Sequence, residues 1–342
     1  MFKNLHLWAN IMLGMAVAIT LAVAGLSWVG LRSMDRIITD AEHAELHQIA
    51  ETLLGRVASE TRMAETMSAL VAHLPAVQAE FAAGDRAGLE ASLLPAYEAL
   101  AADYGVVQFQ LHVAPARSFL RLHKPDTFGD DLSGFRHSVV DTNAKLEPQR
   151  GLENGVAGLG ARGMVPVFQG DRHLGSVEFG MSFGQPFFDA FKADYGVDAG
   201  LQVLRDGRFE TFAATYGDAP LFDETTLQAV LAGESPLLNR VVNGKPMVVL
   251  AELVRDYSGQ PLGVLELAKD RSHYQQVMAK ARNHAWWVGG FAMLFSLLMA
   301  QLTARSLGRR IRAMAEGVDR VASGDLSQDI AGLFVEDVGA EQ

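Results

Sequence analysis

Residues 164–183 read MVPVFQGDRHLGSVEFGMSF and residues 247–270 read MVVLAELVRDYSGQPLGVLELAKD. Each is an apolar run, a polar turn containing glycine, then a return run of the form Leu-Gly-x-Val/Leu-Glu-apolar. That is the pattern of a β-hairpin with one face buried. Setting Gly175 against Gly263 brings Glu178 against Glu266, an offset of 88 residues. A hairpin repeated at that distance predicts two similar α+β modules in tandem, with duplicated hairpins as the simpler alternative.

Working outward, further strands are predicted over Val106–Val113, Ser118–Leu122, Leu201–Arg205 and Arg208–Ala213. Within the two quoted stretches they fall at Met164–Phe168, Leu174–Met181, Met247–Leu253 and Leu262–Leu267. Asp206-Gly207 and Asn243-Gly244 are two-residue hairpin turns, where positive φ is needed. Phe135–Lys145 reads as a short helix, and residues 86–102 as another. Before them, Met34, Ile38, Ala41, Ile49, Leu53, Val57, Ala64, Met67, Leu70 and Leu74 fall mostly on i+3/i+4 steps, as on one long helix that Pro75 ends. A helix of about forty residues is far above the globular mean of about 11–12 and reads as a stalk packed on a symmetry mate or on the modules beyond it. His43 and His47 lie at i, i+4 on that helix, a spacing that can hold a metal. HAELH is not HExxH, and a solvated polar face is the preferred reading.

Two runs lack any Lys, Arg, Asp or Glu: Asn4–Leu31, 28 residues, and Asn283–Ala304, 22 residues. About 20 apolar residues cross a bilayer core of ~30 Å, so both qualify as spans. A cleavable signal peptide ending at Ala22-Val23-Ala24 is the competing reading of the first, but the apolar run continues seven residues past Ala24. Arg305, Arg309, Arg310 and Arg312 follow the second span, and Lys3 precedes the first. Both flanks therefore read as cytoplasmic, with residues 32–284 outside.

The 342 residues contain no cysteine, which removes disulfides, thiolate zinc sites, iron–sulfur clusters and covalent c-type haem. Of the formal charge of −11, the outer segment carries −10, the N-terminal segment +1 and the tail −2. That balance argues against nucleic acid as a partner.

In Val107–Val113 the odd positions are apolar, while Gln108, Gln110 and His112 share the opposite face. Arg121 and His123 share a face of the next strand. A polar sheet face means either solvent or a polar binding cavity. Arg121, His123, Lys124, Arg136 and Arg162 are the candidate cationic donors to a small anionic or zwitterionic metabolite, because a guanidinium can grip a carboxylate bidentately. Glu178 or Asp131 would accept an ammonium group. The competing reading makes them surface residues paired with local acids. Gly158–Gly163 matches GxGxxG, but without a preceding strand and following helix it reads as a flexible loop at the pocket edge, not a dinucleotide site. No catalytic motif is present, so an enzyme is not predicted. No cofactor is predicted; a non-covalent haem would have to use His112, His123 or His137.

A long stalk helix, tandem α+β modules and bracketing spans together resemble the double Cache sensor of bacterial chemoreceptors and sensor kinases. The residues that carry this are FLRLHKPDTFGDDLSGFRHSVVDTNAK (119–145) and GLGARGMVPVFQGDRHLGSVEFGMSFGQPFF (158–188), which look like the membrane-distal module of such receptors. The resemblance, over about residues 32–276, implies PAS-like sheets with a pocket between one sheet face and the overlying helix and loops. In the tail, Leu307, Ile311, Met314, Val318 and Val321 step by 4, 3, 4, 3. With Gly324-Asp325-Leu326 and Glu336-Asp337-Val338-Gly339 they resemble a HAMP linker, of which only part fits before Gln342. The expected layout is residues 1–31 as N-terminus and first span, 32–75 stalk, 76–191 distal module, 192–276 proximal module, 283–304 second span and 305–342 partial HAMP linker. What is implied is a homodimeric inner-membrane sensor with a periplasmic ligand-binding part, its output module lying beyond this chain. The alternatives are the input half of a sensor histidine kinase or diguanylate cyclase, or a truncated binding or decoy subunit that pairs with full-length receptors.

Overall fold

The structure, a computed structural model, describes residues 7–155, 158–205 and 207–322. In chain order the elements are α1 (Leu7–Ala72), α2 (Pro75–Ala83), α3 (Arg86–Asp103), β1 (Val106–Val113), β2 (Arg117–Arg121), α4 (His137–Lys145), β3 (Gln149–Gly155), β4 (Gly158–Gln169) and β5 (Arg172–Met181). They continue with α5 (Gln185–Tyr195), β6 (Asp198–Arg205), β7 (Arg208–Ala214), α6 (Glu224–Leu231), β8 (Leu237–Val242), β9 (Lys245–Arg255), β10 (Pro261–Asp270) and α7 (Ser272–Ala322). Two compact units result, one up to Ile38 and from Tyr274 onward, the other Thr39–His273.

The first unit is helical. Many of its described apolar side chains, among them Leu21, Leu26, Trp286, Trp287 and Phe291, are exposed, while Ala300 is buried. α1 and α7 each contain a stretch long and apolar enough to cross a membrane. The tail seam lies on α7 in residues whose side chains are outside the description, and the Gly324-Asp325-Leu326 and Glu336–Gly339 motifs lie outside the described residues.

The second unit holds two five-stranded antiparallel sheets of identical plan, β2-β1-β5-β4-β3 and β7-β6-β10-β9-β8. The two quoted hairpins are β4–β5 and β9–β10, at corresponding places in the two sheets. The repeat's glycines have one cause: a Cβ on Gly175 would overlap the His112 carbonyl oxygen, and one on Gly263 the Gln202 carbonyl oxygen. At Asn243-Gly244 both φ angles are positive, 50° and 76°, and Val242 pairs with Lys245 across the two-residue turn.

One apolar core runs through both modules. Leu46, Ala50, Leu53, Val57, Ala64 and Val71 of α1 join Phe109, Val177 and Phe179 of the first sheet and Leu201, Leu250 and Leu265 of the second. The helix predicted by spacing is therefore the spine on which both sheets pack. Its stripe differs at the end from the predicted one: Leu70 and Leu74 are exposed, while Ser68 and Val71 are buried. The i+4 step from Met67 to Val71 keeps contact with the sheet where the step to Leu70 leads away from it. The Ser68 hydroxyl donates to the Gly163 carbonyl at 2.7 Å and accepts the Phe179 N–H at 3.1 Å.

One reading is corrected, and two strands and one ion pair are added to the expected layout. Residues 158–163 are not a loop but the start of β4, paired with β3 from Gly155↔Gly158 to Gln149↔Met164. Gly163 serves packing, since a Cβ there would overlap the backbone of Glu65 in α1, whereas Gly158 has open space around it and a positive φ of 96°. Strands β3 and β8 had no apolar alternation to reveal them, since QRGLENG is polar and LLNRVV is a largely exposed edge strand. Of the i, i+4 histidines, His43 is exposed, as on the solvated polar face expected there, and His47 pairs with Glu252 at 2.8 Å.

Candidate functional site

The two sheets face the shared core alike, but their other faces differ. In the second sheet that face carries Val249, Ala251, Val264 and Ala268, and α6 covers it with Leu227 and Val230. In the first sheet it carries Gln110, His112, Ser176, Glu178 and Arg162, all buried, and α4 and the segment before it lie over them. The alternation in β1 that separated Phe109 and Leu111 from Gln110 and His112 is thus resolved as core against polar cavity.

At the centre is Glu178 on β5, with a wholly buried side chain. Its Oε1 accepts Arg136 Nη2 and Arg162 Nη1, each at 2.7 Å, and its Oε2 accepts Gln110 Nε2 at 2.9 Å. Burial alone would raise its pKa, but the adjacent Arg136 and Arg162 hold it well below the usual carboxylate range. Arg136, just before α4, also donates from Nε to Glu153 at 3.0 Å. For Arg136 burial opposes the charge, and Glu178 and Glu153 more than offset it, so its pKa is raised. Glu153 on β3 caps the start of α4, accepting Ser138 N at 2.8 Å and the Ser138 hydroxyl. Arg162 also reaches Gln108 Oε1. His112 is wholly buried with Nε2 3.5 Å from Glu178. Neither of its ring nitrogens has a hydrogen bond, and burial pushes its pKa down to about 3.

Above this layer lies a cavity of about 180 Å³, walled by Gln108, Gln110, Arg121, His123, Lys124, Asp130, Phe135, Arg136 and Arg162 among others. Arg121 is fixed by Asp130 through two parallel bonds, 2.8 and 2.7 Å, and by the Thr127 carbonyl at 3.0 Å. Lys124 is exposed at the rim. Burial lowers the His123 pKa, so its imidazole is neutral near pH 7.

Of the seven residues predicted from sequence, Arg121, His123, Lys124, Arg136 and Arg162 line this one cavity. Two do not. Glu178 lies beneath the floor, wholly buried and outside the cavity lining, with its oxygens on Arg136, Arg162 and Gln110. Asp131 is turned to Ser133, accepting its N–H at 2.9 Å and its hydroxyl at 2.6 Å. Asp130 takes the place expected of Asp131. Glu153 was missed because it sits in a strand that was itself missed.

The equivalent carboxylate, Glu266, is also buried but needs no cation. It accepts the Tyr216 hydroxyl, Gln202 Nε2 at 2.9 Å and the Phe222 N–H at 2.9 Å. One module closes over its glutamate with its own side chains; the other surrounds it with arginines and leaves space above.

Two PAS-like sheets on a common helix, one carrying a polar cavity, define a tandem sensory module. Residues 40–274 match the family model described as "Double sensory domain of two-component sensor kinase". The chain belongs to this double Cache family. Similar solved structures include the ligand-binding domain of the Campylobacter jejuni chemoreceptor Tlp3 in complex with L-valine, at 12% identity and TM-score 0.47, over 70% of this chain and 95% of that one. The sensor domain of the V. cholerae histidine kinase DctB has 8% identity and TM-score 0.42, over 67% and 98%. An extracellular ligand binding receptor from Desulfohalobium retbaense has 15% identity and TM-score 0.41 over 65% of this chain, which spans 39% of that receptor's length. No curated protein matches the sequence.

Proposed function

We propose that this chain is the sensing part of a two-span bacterial membrane receptor, and that the cavity of its first module binds a small carboxylate-bearing metabolite, anionic or zwitterionic, outside the cytoplasm. The charge inventory of the cavity and its floor carries this reading. Among the described residues, Arg121, Lys124, Arg136 and Arg162 outnumber by one the acids they face, Asp130, Glu153 and Glu178, and the positive charge left over is that of Lys124 at the exposed rim, where an incoming carboxylate would meet it first. At about 180 Å³ the cavity is smaller than the usual range of about 300–1,000 Å³ for drug-sized ligands, which suits a metabolite of few atoms. Arg121 and Lys124 would engage the carboxylate; Asp130, at the same wall, would take an ammonium group.

The two apolar helical stretches and the Arg305–Arg312 cluster support a periplasmic position for residues 32–276, read as stalk, distal and proximal modules. Bound ligand would bias the packing of α4 and the sheet, and through α1 the helices leading to a HAMP-like linker in a homodimer. Chemotaxis is the favoured output; a histidine kinase, a cyclase or a stand-alone binding subunit are the other outcomes, distinguished by the reading frame beyond Gln342 and by pull-down of full-length receptors.

Isothermal titration of the full chain in nanodiscs against small monocarboxylates, dicarboxylates and amino acids tests the site. Lys124→Ala and Arg121→Gln are each expected to weaken the compound that binds at least about tenfold, the loss of one charge-assisted contact. Unchanged affinity in both would remove this cavity as the site.

A further inference from the structure

The two repeated hairpins differ at their tips. β4 turns into β5 through two residues, with Gln169 paired to Arg172, whereas β9 turns into β10 through five, with Arg255 paired to Pro261. The longer tip is stitched to itself. Asp256 Oδ1 accepts Ser258 N at 2.8 Å, the Ser258 hydroxyl at 2.8 Å and Gln260 N at 2.9 Å, and Asp256 N–H donates to the Gln260 carbonyl at 2.9 Å. A short loop with that many internal bonds holds its shape, and what it holds out is Tyr257.

Tyr257 reaches across to the first module at two points. Its N–H donates to the Leu152 carbonyl of β3 at 3.1 Å, and its hydroxyl donates to Asp141 Oδ2 of α4 at 3.2 Å. The fit is close, since a Cβ on Gly151 would lie 2.5 Å from Tyr257 Cα. Leu152 precedes Glu153, and Asp141 lies one turn along α4 from Ser138. Glu153 and Ser138 are the pair that ties β3 to α4 and holds the Nε of Arg136. Tyr257 therefore spans the outside of the joint whose inside holds an arginine of the cavity wall.

We propose that Tyr257 is a positioning residue through which the state of the first module's cavity and the β9–β10 hairpin of the second module are coupled. A change at Arg136 shifts Glu153 and the start of α4, and Tyr257 passes that shift to a hairpin whose second strand ends at Asp270 and Arg271. Arg271 there holds Glu42 of α1 at 3.0 Å. The contact is a property of the ligand-free chain, while its use in signalling rests on the cavity being the ligand site.

The test is hydrogen exchange by mass spectrometry on the full chain in nanodiscs with no ligand added, so failure of the ligand reading leaves the outcome unaffected. Tyr257→Phe should raise exchange across residues 137–145 about fivefold, as expected for loss of one half-buried hydrogen bond, and Asp141→Asn, which also releases Lys145 of the same helix, held at 3.0 Å, is read across residues 255–261, where a similar rise is expected. Glu153→Gln should raise exchange across residues 255–261 to a similar extent, because coupling is reciprocal. Residues 198–214 should stay unchanged in all three and report intact folding. Unchanged exchange in 137–145 for Tyr257→Phe, or in 255–261 for Asp141→Asn or Glu153→Gln, overturns the coupling and leaves Tyr257 a passive contact.

Discussion

Glu178 and Glu266 occupy matching places in the two modules, and replacing each by glutamine should have different consequences. Glu178→Gln keeps the shape but removes the charge shared by two guanidinium groups, those of Arg136 and Arg162, whose side chains are only 4% and 3% exposed. Stranding a buried charge costs about 3–5 kcal/mol. Glu153 still holds Arg136 Nε at 3.0 Å, so the lower end, about 3 kcal/mol, applies. For a domain of this size about 2–4 °C accompanies each kcal/mol, giving a fall in melting midpoint of about 6–12 °C. Glu266→Gln disturbs only bonds from neutral donors, Tyr216, Gln202 and Phe222, and should cost about 1–2 kcal/mol. Adding Arg162→Met to Glu178→Gln should recover part of the loss by removing one stranded charge. Scanning calorimetry of the full chain in nanodiscs measures all three. A fall below about 3 °C for Glu178→Gln, or one no larger than for Glu266→Gln, would refute the account of the polar layer as a charge-paired floor.

Acid should destabilise the second unit earlier than carboxylate titration alone would. His112, held neutral with its pKa near 3, gains a proton on unfolding below its ordinary 6.5, so the unfolded state binds more protons and stability falls as pH drops from about 6.5 toward 3, by up to about 1.4 kcal/mol per pH unit. Glu178 acts in the same direction at lower pH, its depressed pKa giving stability that is present above about 4.5 and lost as pH falls through the folded value. His112→Gln should flatten the midpoint profile between pH 6.5 and 5, and an unaltered slope would count against a neutral buried imidazole. Gly163→Ala should cost at least about 2 kcal/mol by overpacking against the α1 backbone, whereas Gly134→Ala, which meets nothing within 4 Å, should leave the thermal midpoint unchanged.

What could be read from the sequence was whatever obeyed a period. Both hairpins, the long helix, α4 and the polar face of β1 show themselves in alternation or in i+3/i+4 steps. Five of the seven proposed residues line one cavity because Arg121 and His123 were placed by strand parity and the others by nearness to it. β3 and β8 lacked a period: the first is polar because its side chains serve the joint with α4, the second because it is an exposed edge. Glu153 was hidden with β3. The GxGxxG match misled for a related reason, since glycine frees the backbone to turn but also lets another backbone approach, and composition alone does not distinguish the two. Asp130 and Asp131 were inseparable in sequence; their roles depend on which one the chain turns toward Arg121.

The Ser68 hydroxyl, shared between a carbonyl on β4 and an N–H on β5, has a mechanical consequence. An axial slide of α1 by a single residue, about 1.5 Å, would break both bonds and drive the helix backbone against Gly163. In this part of the second unit those two bonds and the close approach at Gly163 tie the helix to the first sheet. Under the proposed function, tilting or rotation of helix and sheet together would carry a signal from the cavity at lower cost than a piston stroke of the helix past the sheet, which would lose both bonds.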